Sequence, residues 1–229
     1  MKEQLPLTLQ FPESLRFDNF YPGANEQSLV HLKSLDAATA QSVYLWGGKG
    51  TGKTHLCQAL YHHWTEIEQQ PAYIDVNEPG MQPQVLEGLE QFKILIIDGI
   101  DAVIMQQQWQ EAIFHVYNRL MSNHGNLIIA ARVAPQNIES LLPDLSSRLL
   151  SGLVFEIKEM SDNGKLHAMK QRAKEYGFKL PNDVGIYLLN HAHRGSHEIF
   201  QQLRTLDKAS LVHKRKLTIP FVKEILALS

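Results

Sequence analysis

Apolar positions along the chain follow two regimes. Up to about residue 160, short apolar runs alternate with segments of helical period; beyond it only helical periods remain. Val43 to Trp46 is an apolar run ending at Gly47-Gly48, the pattern of a strand meeting a loop. Lys53 to Glu68 predicts a helix, closed off by Pro71, and Ala72 to Val76 a second strand. Ile94 to Ile97 is wholly apolar, so this third strand is predicted to be buried on both faces. Gln106 to His124 carries a helical period with Trp109, Ile113, Val116, Tyr117 and Leu120 on one side. Leu127 to Ala131 and Leu153 to Ile157 supply a fourth and a fifth strand. Strands alternating with helices predict an α/β fold, an open parallel sheet flanked by helices. Four helices follow, over Lys165–Tyr176, Asn182–His191, Ser196–His213 and Ile219–Leu228, with Asp162, Asn182 and Ser196 as N-caps. The expected organisation is a tail over 1–16, an α/β domain over 17–160 and a small all-α domain over 161–229.

The tail has its own pattern. In Gln4-Leu5-Pro6-Leu7-Thr8-Leu9 the leucines recur with a period of two, and Pro6 drives Leu5 into extended geometry. Such a peptide suits strand addition or a groove with alternating pockets, or it folds back onto its own domain.

Composition narrows the classes. The 229 residues, 44% hydrophobic and 20% charged, are enough to bury a real core. Lys plus Arg is 22 against 24 for Asp plus Glu, so no basic surplus argues for direct DNA binding. The one dense basic run, His213-Lys214-Arg215-Lys216, reads as a solvated helix end. A single cysteine, Cys57, excludes an intrachain disulfide and a multi-cysteine zinc site, and suits a reducing cytosol. No apolar run reaches the ~18 residues of a membrane span, and the N-terminus is not a signal peptide, so a cytoplasmic protein is expected.

The sharpest chemical signal is Gly47-Gly48-Lys49-Gly50-Thr51-Gly52-Lys53-Thr54, which fits G-x-x-x-x-G-K-[ST] at every required position and lies between a predicted strand and helix. Glycines let backbone N–H groups wrap a phosphate chain, and the helix N-terminus adds positive potential. Lys53 is the cation for the outer phosphates; Thr54 and Asp98, which ends the third strand, are the Mg²⁺ ligands. A hydrolase of this plan places a second acid directly after that aspartate to orient water. Here the next residue is Gly99, and Asp101, three residues on along an extended chain, is expected on the opposite face. The reading is a nucleotide binder with slow or absent turnover.

On these residues the chain resembles AAA+ P-loop NTPases, and within them the relatives of the bacterial initiator DnaA. Phe17-Asp18-Asn19-Phe20-Tyr21-Pro22-Gly23 looks like the F-x-N-F-x-x-G entry segment that packs by the nucleotide base in that family, and Leu142-Pro143-Asp144-Leu145-Ser146-Ser147-Arg148-Leu149 resembles the arginine-finger segment. Arg215 to Leu226 is very similar to the C-terminal tail of the Hda family of DnaA regulators, and Gln4 to Leu9 matches their Q-L-x-L-x-L clamp-binding peptide. The resemblance implies an α/β AAA+ domain with an all-α lid that binds ADP, or ATP or another nucleoside diphosphate, with Mg²⁺. The implied nucleotide contacts are Phe20, Tyr21, Gly47, Gly48, Lys49, Gly50, Thr51, Gly52, Lys53, Thr54, His55, Arg194 and His197. It implies that Arg148 acts in trans to stimulate hydrolysis of DnaA-bound ATP and so inactivate the initiator, and that Gln4, Leu5, Leu7 and Leu9 dock on the DNA polymerase III sliding clamp. DNA is then reached through the loaded clamp, and a homodimer or higher oligomer is left open. Three leucines at roughly 1.5–3 kcal/mol each, against about 1 kcal/mol per ordered residue, leave a modest net, so docking in the micromolar rather than the nanomolar range is expected. The sequence ends at Ser229, and no helix-turn-helix domain for origin DNA is expected.

The pattern departs from the family at three places, all in the hydrolysis machinery. The second acid is Gly99; the end of the fourth strand is Ala130-Ala131-Arg132 where a polar phosphate sensor is usual; and the lid's sensor arginine aligns with His197, with Arg194 nearby. That suits a protein held in one nucleotide state. A rival reading is an AAA+ ATPase acting as helicase loader or clamp-loader-like subunit; others are a pure adaptor and a nucleotide-gated scaffold. Among single residues, Arg148 at i,i+4 from Asp144 is also a plain helix pair. His191, His193 and His197 lack a cysteine or acidic companion at zinc spacing. Cys57 is expected to be buried and inert, and Trp109 and Tyr117 to be core.

Overall fold

The computed structural model describes residues 15–191 and 196–227, the side chains of Ser196 and His197 apart. Five parallel strands, β1 (Ser42–Trp46), β2 (Pro71–Asp75), β3 (Ile94–Asp98), β4 (Asn126–Ala131) and β5 (Leu153–Glu156), form one sheet in the order β2-β3-β4-β1-β5. Helix α1 (Glu26–Ser34) precedes β1; between the strands run α2 (Lys53–Glu66), α3 (Gln107–Ser122) and α4 (Pro143–Ser151), and after them α5 (Asp162–Glu175), α6 (Asn182–His191), α7 (Ser196–His213) and α8 (Ile219–Leu226).

Side chains alternate across a strand, so each central strand feeds two cores. Leu95, Ile97, Leu127 and Ile129 face Trp109, Ile113, Val116 and Leu120 of α3. Ile94, Ile96 and Ile128, with Val43 and Leu45, face Leu56, Leu60 and Trp64 of α2. All of β3 and β4 is buried, as a strand covered by helices on both faces must be, while β5 at the sheet edge is half exposed. Helices α5 to α8 enclose a third, separate core around Met169, Val184, Leu188, Leu203, Phe221 and Val222.

Several local expectations need correction. The sequence reading placed no element over Glu26–Ser34; α1 is short, and only Ser28, Leu29 and Leu32 are buried, too few to register as a period. The N-cap of α5 is Ser161, not Asp162: its side chain accepts from the Gly164 N–H at 3.2 Å. Asn182 lies inside α6 rather than capping it, and its Oδ1 accepts from Lys170 Nζ at 2.8 Å. Helix α2 ends at Glu66, because Glu68 takes a positive φ of 57°.

Asp101 is the correction that bears on chemistry. The chain does not stay extended after Asp98. Gly99 turns at φ +80° into a short 3₁₀ helix, Ile100–Ala102. Asp101 is thereby kept at the C-terminal end of the sheet. Its two carboxylate oxygens accept from the Arg132 N–H at 2.7 and 2.8 Å, and its charge reaches Lys53. Both oxygens share this one N–H, which holds the chain after β4.

Candidate nucleotide site

The loop Gly47–Thr54 leaves the end of β1 and opens α2. In this sheet the C-terminal ends of β1, β3 and β4 lie together, so the loop faces Asp98 and the residues after β4. Gly47 sits where any Cβ would run into the Ile157 carbonyl, so the loop packs on the chain leaving β5. Gly52 combines a φ of +105° with a Phe20 ring carbon 2.9 Å from where its Cβ would stand. Only glycine meets both demands.

Lys53 donates from Nζ to the carbonyls of Gly47 and Gly48, at 2.7 and 2.8 Å. Burial lowers its pKa, and the charges of Asp98 and Asp101 oppose that shift. Asp98 is 4% exposed and paired with Thr54 and Tyr73 side chains. Burial holds its carboxyl above the usual range, the two hydrogen bonds pull it back down, and the Asp75 charge on the neighbouring strand adds to the rise. A buried carboxylate beside a hydroxyl at the loop's end is an oxygen donor set suited to a hard divalent cation, so these residues fit Mg²⁺.

Above the loop lies a cavity of about 530 Å³. Phe20, Tyr21, Lys49, Gly50, Thr51, Gly52, Lys53, Thr54 and His55 all line it; Gly47 and Gly48, also expected there, do not, and their carbonyls accept from Lys53. Its far wall comes from the helical part: Ala168 and Arg172 of α5, and Phe200, Gln201 and Arg204 of α7. Lys49, Lys53, Arg172 and Arg204 line the cavity and, among the described residues, no carboxylate does, so its field favours a polyanion. Two of these cations have acid partners: Glu198 of α7 pairs with Lys49 at 3.2 Å and Glu175 of α5 with Arg172 at 3.4 Å.

His55 builds the side wall. Its Nε2–H points at two acceptors, the Arg16 carbonyl and Asn19 Oδ1, each at 2.9 Å. Its ring meets Phe20 edge to face, centroids 5.2 Å apart. Burial is the main cause of its pKa falling to about 4, with the Arg172 charge adding to it and the Arg16 bond opposing it. The entry segment is fastened to α5 as well: Gln171 donates to the Asp18 carbonyl at 2.9 Å, and the Tyr21 ring lies 5.3 Å from that of His167.

Other expected site residues lie elsewhere. Arg148 is exposed on α4 and does not line the cavity; its guanidinium sits 6.0 Å above the Tyr117 ring. Among the described residues it forms no ion pair with Asp144. Gln4, Leu5, Leu7, Leu9 and Arg194, and the side chain of His197, lie outside what is described. Cys57 is fully buried on α2, where burial pushes its thiol well up, and Trp109 and Tyr117 are core. His191 stacks on Tyr187 with centroids 4.1 Å apart.

The sequence reading missed Asn19, Gln58, Arg172, Phe200, Gln201 and Arg204. One signal was available for the last three. They stand at i+3, i+4 and i+7 from His197, on the same face of α7.

Two family descriptions match the chain: the bacterial DnaA ATPase domain over residues 11–156 and the Hda lid domain over 162–226. The chain belongs to the DnaA-related AAA+ family and carries an Hda-type lid. The DnaA-related fold recurs in solved structures. Domain III of the Thermotoga maritima replication initiation protein DnaA superposes with a TM-score of 0.81 at 17% identity, over 96% of this chain and 98% of that one. AMPPCP-bound DnaA from Aquifex aeolicus gives 0.72 at 22% identity over 86% of this chain, which spans 66% of that protein's length. A point mutant of RuvB from Thermotoga maritima gives 0.71 at 15% identity, over 95% and 73%. At these identities the likeness is one of fold. The DnaA-related chain has no helix, among its described residues, long and apolar enough to cross a membrane.

Proposed function

We propose that this DnaA-related protein is a regulator that holds ADP with Mg²⁺ in its own site and acts on ATP held by another molecule, the initiator DnaA. The observation that carries the first half is the cavity of four cations and no described lining carboxylate, closed on one side by the phosphate loop. A DnaA of the same fold was solved with AMPPCP bound. In this chain the loop amides and Lys53 would hold the phosphates, and Lys53 would release the Gly47 and Gly48 carbonyls to do so. Thr54 and Asp98 would hold Mg²⁺, which supplies charge neutralisation at the phosphates. Phe20 and Tyr21 would flank the base. Residues 17–160 act as the nucleotide domain and 161–229 as a lid whose Arg172, Phe200 and Arg204 close the pocket.

Turnover in this site is slow or absent. Position 99 has no side chain, and a Cβ there would run into the Asn77 carboxamide, an amide where a water-orienting acid is needed. Arg148 supports the second half. It is exposed on α4, away from the chain's own cavity, with its guanidinium 6.0 Å from the centre of the Tyr117 ring. Set into the ATP site of DnaA it stabilises the charge spread over the transferring phosphoryl group, a contribution of about 10³–10⁵ in rate for such fingers. The tail over 1–16 brings the protein to the sliding clamp through Gln4, Leu5, Leu7 and Leu9.

The test is hydrolysis of DnaA-bound ATP in the presence of clamp loaded on DNA, comparing wild type, Arg148→Ala and a chain lacking residues 1–10. Both variants are expected to lose the stimulation. If neither does, the reading is wrong. The second reading, an AAA+ ATPase of helicase-loader or clamp-loader type, expects steady multiple-turnover hydrolysis by the isolated protein, which Gly99 argues against.

A further inference from the structure

We propose that Tyr73 is the positioning residue that sets the metal-facing orientation of Asp98. The inference rests on the nucleotide reading above. Tyr73 lies on β2, the edge strand beside β3, in register with Ile96, which places Asp75 opposite Asp98. Its ring is 6% exposed and meets Tyr61 of α2 edge to face, centroids 6.2 Å apart. From there its hydroxyl donates to Asp98 Oδ2 at 2.9 Å, a bond buried from water.

An aspartate at the end of a strand has a broad two-fold terminal rotor, and either oxygen can face a ligand. Tyr73 removes that freedom by engaging Oδ2. It fixes the plane of the carboxylate and makes Oδ1 the oxygen that meets a cation. Thr54, which already pairs with this carboxylate, supplies the partner oxygen at the loop's end. Asp75 makes the pin more necessary. Its charge bears on Asp98 from the next strand, and its own Oδ1 is taken by the backbone and side-chain amides of Asn77 at 2.9 and 2.8 Å. Partners of this outer kind orient a metal-binding group, and their loss typically costs about 10–100-fold in metal affinity.

The experiment is calorimetric titration of the full chain with ADP, once in excess Mg²⁺ and once with a chelator, the readout being the ratio of the two affinities. In Tyr73→Phe, which keeps the ring and removes only the hydroxyl, the Mg²⁺ enhancement is expected to fall about tenfold while the affinity in chelator is unchanged. Tyr61→Phe, a hydroxyl removed from the ring that packs on Tyr73, is expected to keep the wild-type ratio. A ratio taken within one variant cancels any loss of folded protein. An unchanged ratio in Tyr73→Phe, or an equal fall in Tyr61→Phe, overturns the proposal. Lys53→Ala separates the two levels: if it binds ADP as wild type does, the nucleotide reading falls, whatever Tyr73 does.

Discussion

His55 ties the phosphate-loop helix to the entry segment as a neutral ring, and acidification should lower the stability of the fold by a calculable amount. In the folded protein its pKa is about 4, against 6.5 for an unperturbed histidine. Because the folded value is depressed, the unfolded chain takes up the proton first as pH falls. Stability is therefore full above about pH 6.5, declines through the window between the two values, and levels off below about pH 4. At 1.36 kcal/mol per pK unit the complete shift corresponds to about 3 kcal/mol. The ring is partly open to the cavity, so screening trims the loss between about pH 7.5 and pH 5 to roughly 1–2 kcal/mol. Urea unfolding of nucleotide-free protein at the two pH values, followed by circular dichroism, measures it, with His55→Gln as the reference. Glutamine keeps an N–H donor for the Arg16 carbonyl and Asn19 Oδ1 but does not titrate. The other ten of the eleven histidines are shared by both proteins, so their contributions cancel in the difference. The variant is expected to lose less stability than wild type over the same interval. Equal losses in the two would falsify the assignment of a buried, neutral His55 as the clip.

Other changes probe the site and its scaffold. Gly52→Ala meets both a φ of +105° and the Phe20 ring at 2.9 Å; it should cost about 1–3 kcal/mol in thermal or chemical unfolding and abolish ADP binding. Lys53→Ala should lower ADP affinity at least about tenfold in calorimetry, since it removes a desolvated charge from the phosphates, while the fold stays intact by circular dichroism. Gly164→Leu would drive a side chain into Tyr21, 2.8 Å from the Cβ position, and should weaken ADP binding more than it weakens the fold; equal effects on both would count against Tyr21 as a wall of the pocket. Trp109→Ala, at 1% exposure on the sheet-facing side of α3, should cost about 3–5 kcal/mol in urea unfolding without touching the cavity directly.

What could be read from the sequence was what is local along the chain. The run Ile94-Leu95-Ile96-Ile97-Asp98 announces a strand buried on both faces with an acid at its end, because period and length suffice for that. The phosphate loop is equally legible, since strand, loop and helix are contiguous and the motif lies within eight residues, although the close approaches of Gly47 to Ile157 and Gly52 to Phe20 are tertiary. Where the reading failed, a local assumption met a turn. Asp101 was assigned by extending the strand, but Gly99 bends the chain at φ +80° and returns the carboxylate to the site's end of the sheet. Short α1 and the Ser161 cap slipped through because each depends on one or two residues rather than a repeating pattern.

The amino-acid order therefore determined the alternation of strands and helices, the loop that grips phosphates and the missing acid beside Asp98, each written within a few neighbouring residues. The tertiary structure alone decided that His55 meets Arg16 and Asn19, that Tyr73 reaches Asp98, and that Arg172, Phe200 and Arg204 arrive over the loop from the other end of the chain. Those contacts join residues 25 to about 150 positions apart, and such meetings are fixed by the packing of buried apolar faces, which carries no mark at the polar residues it brings together.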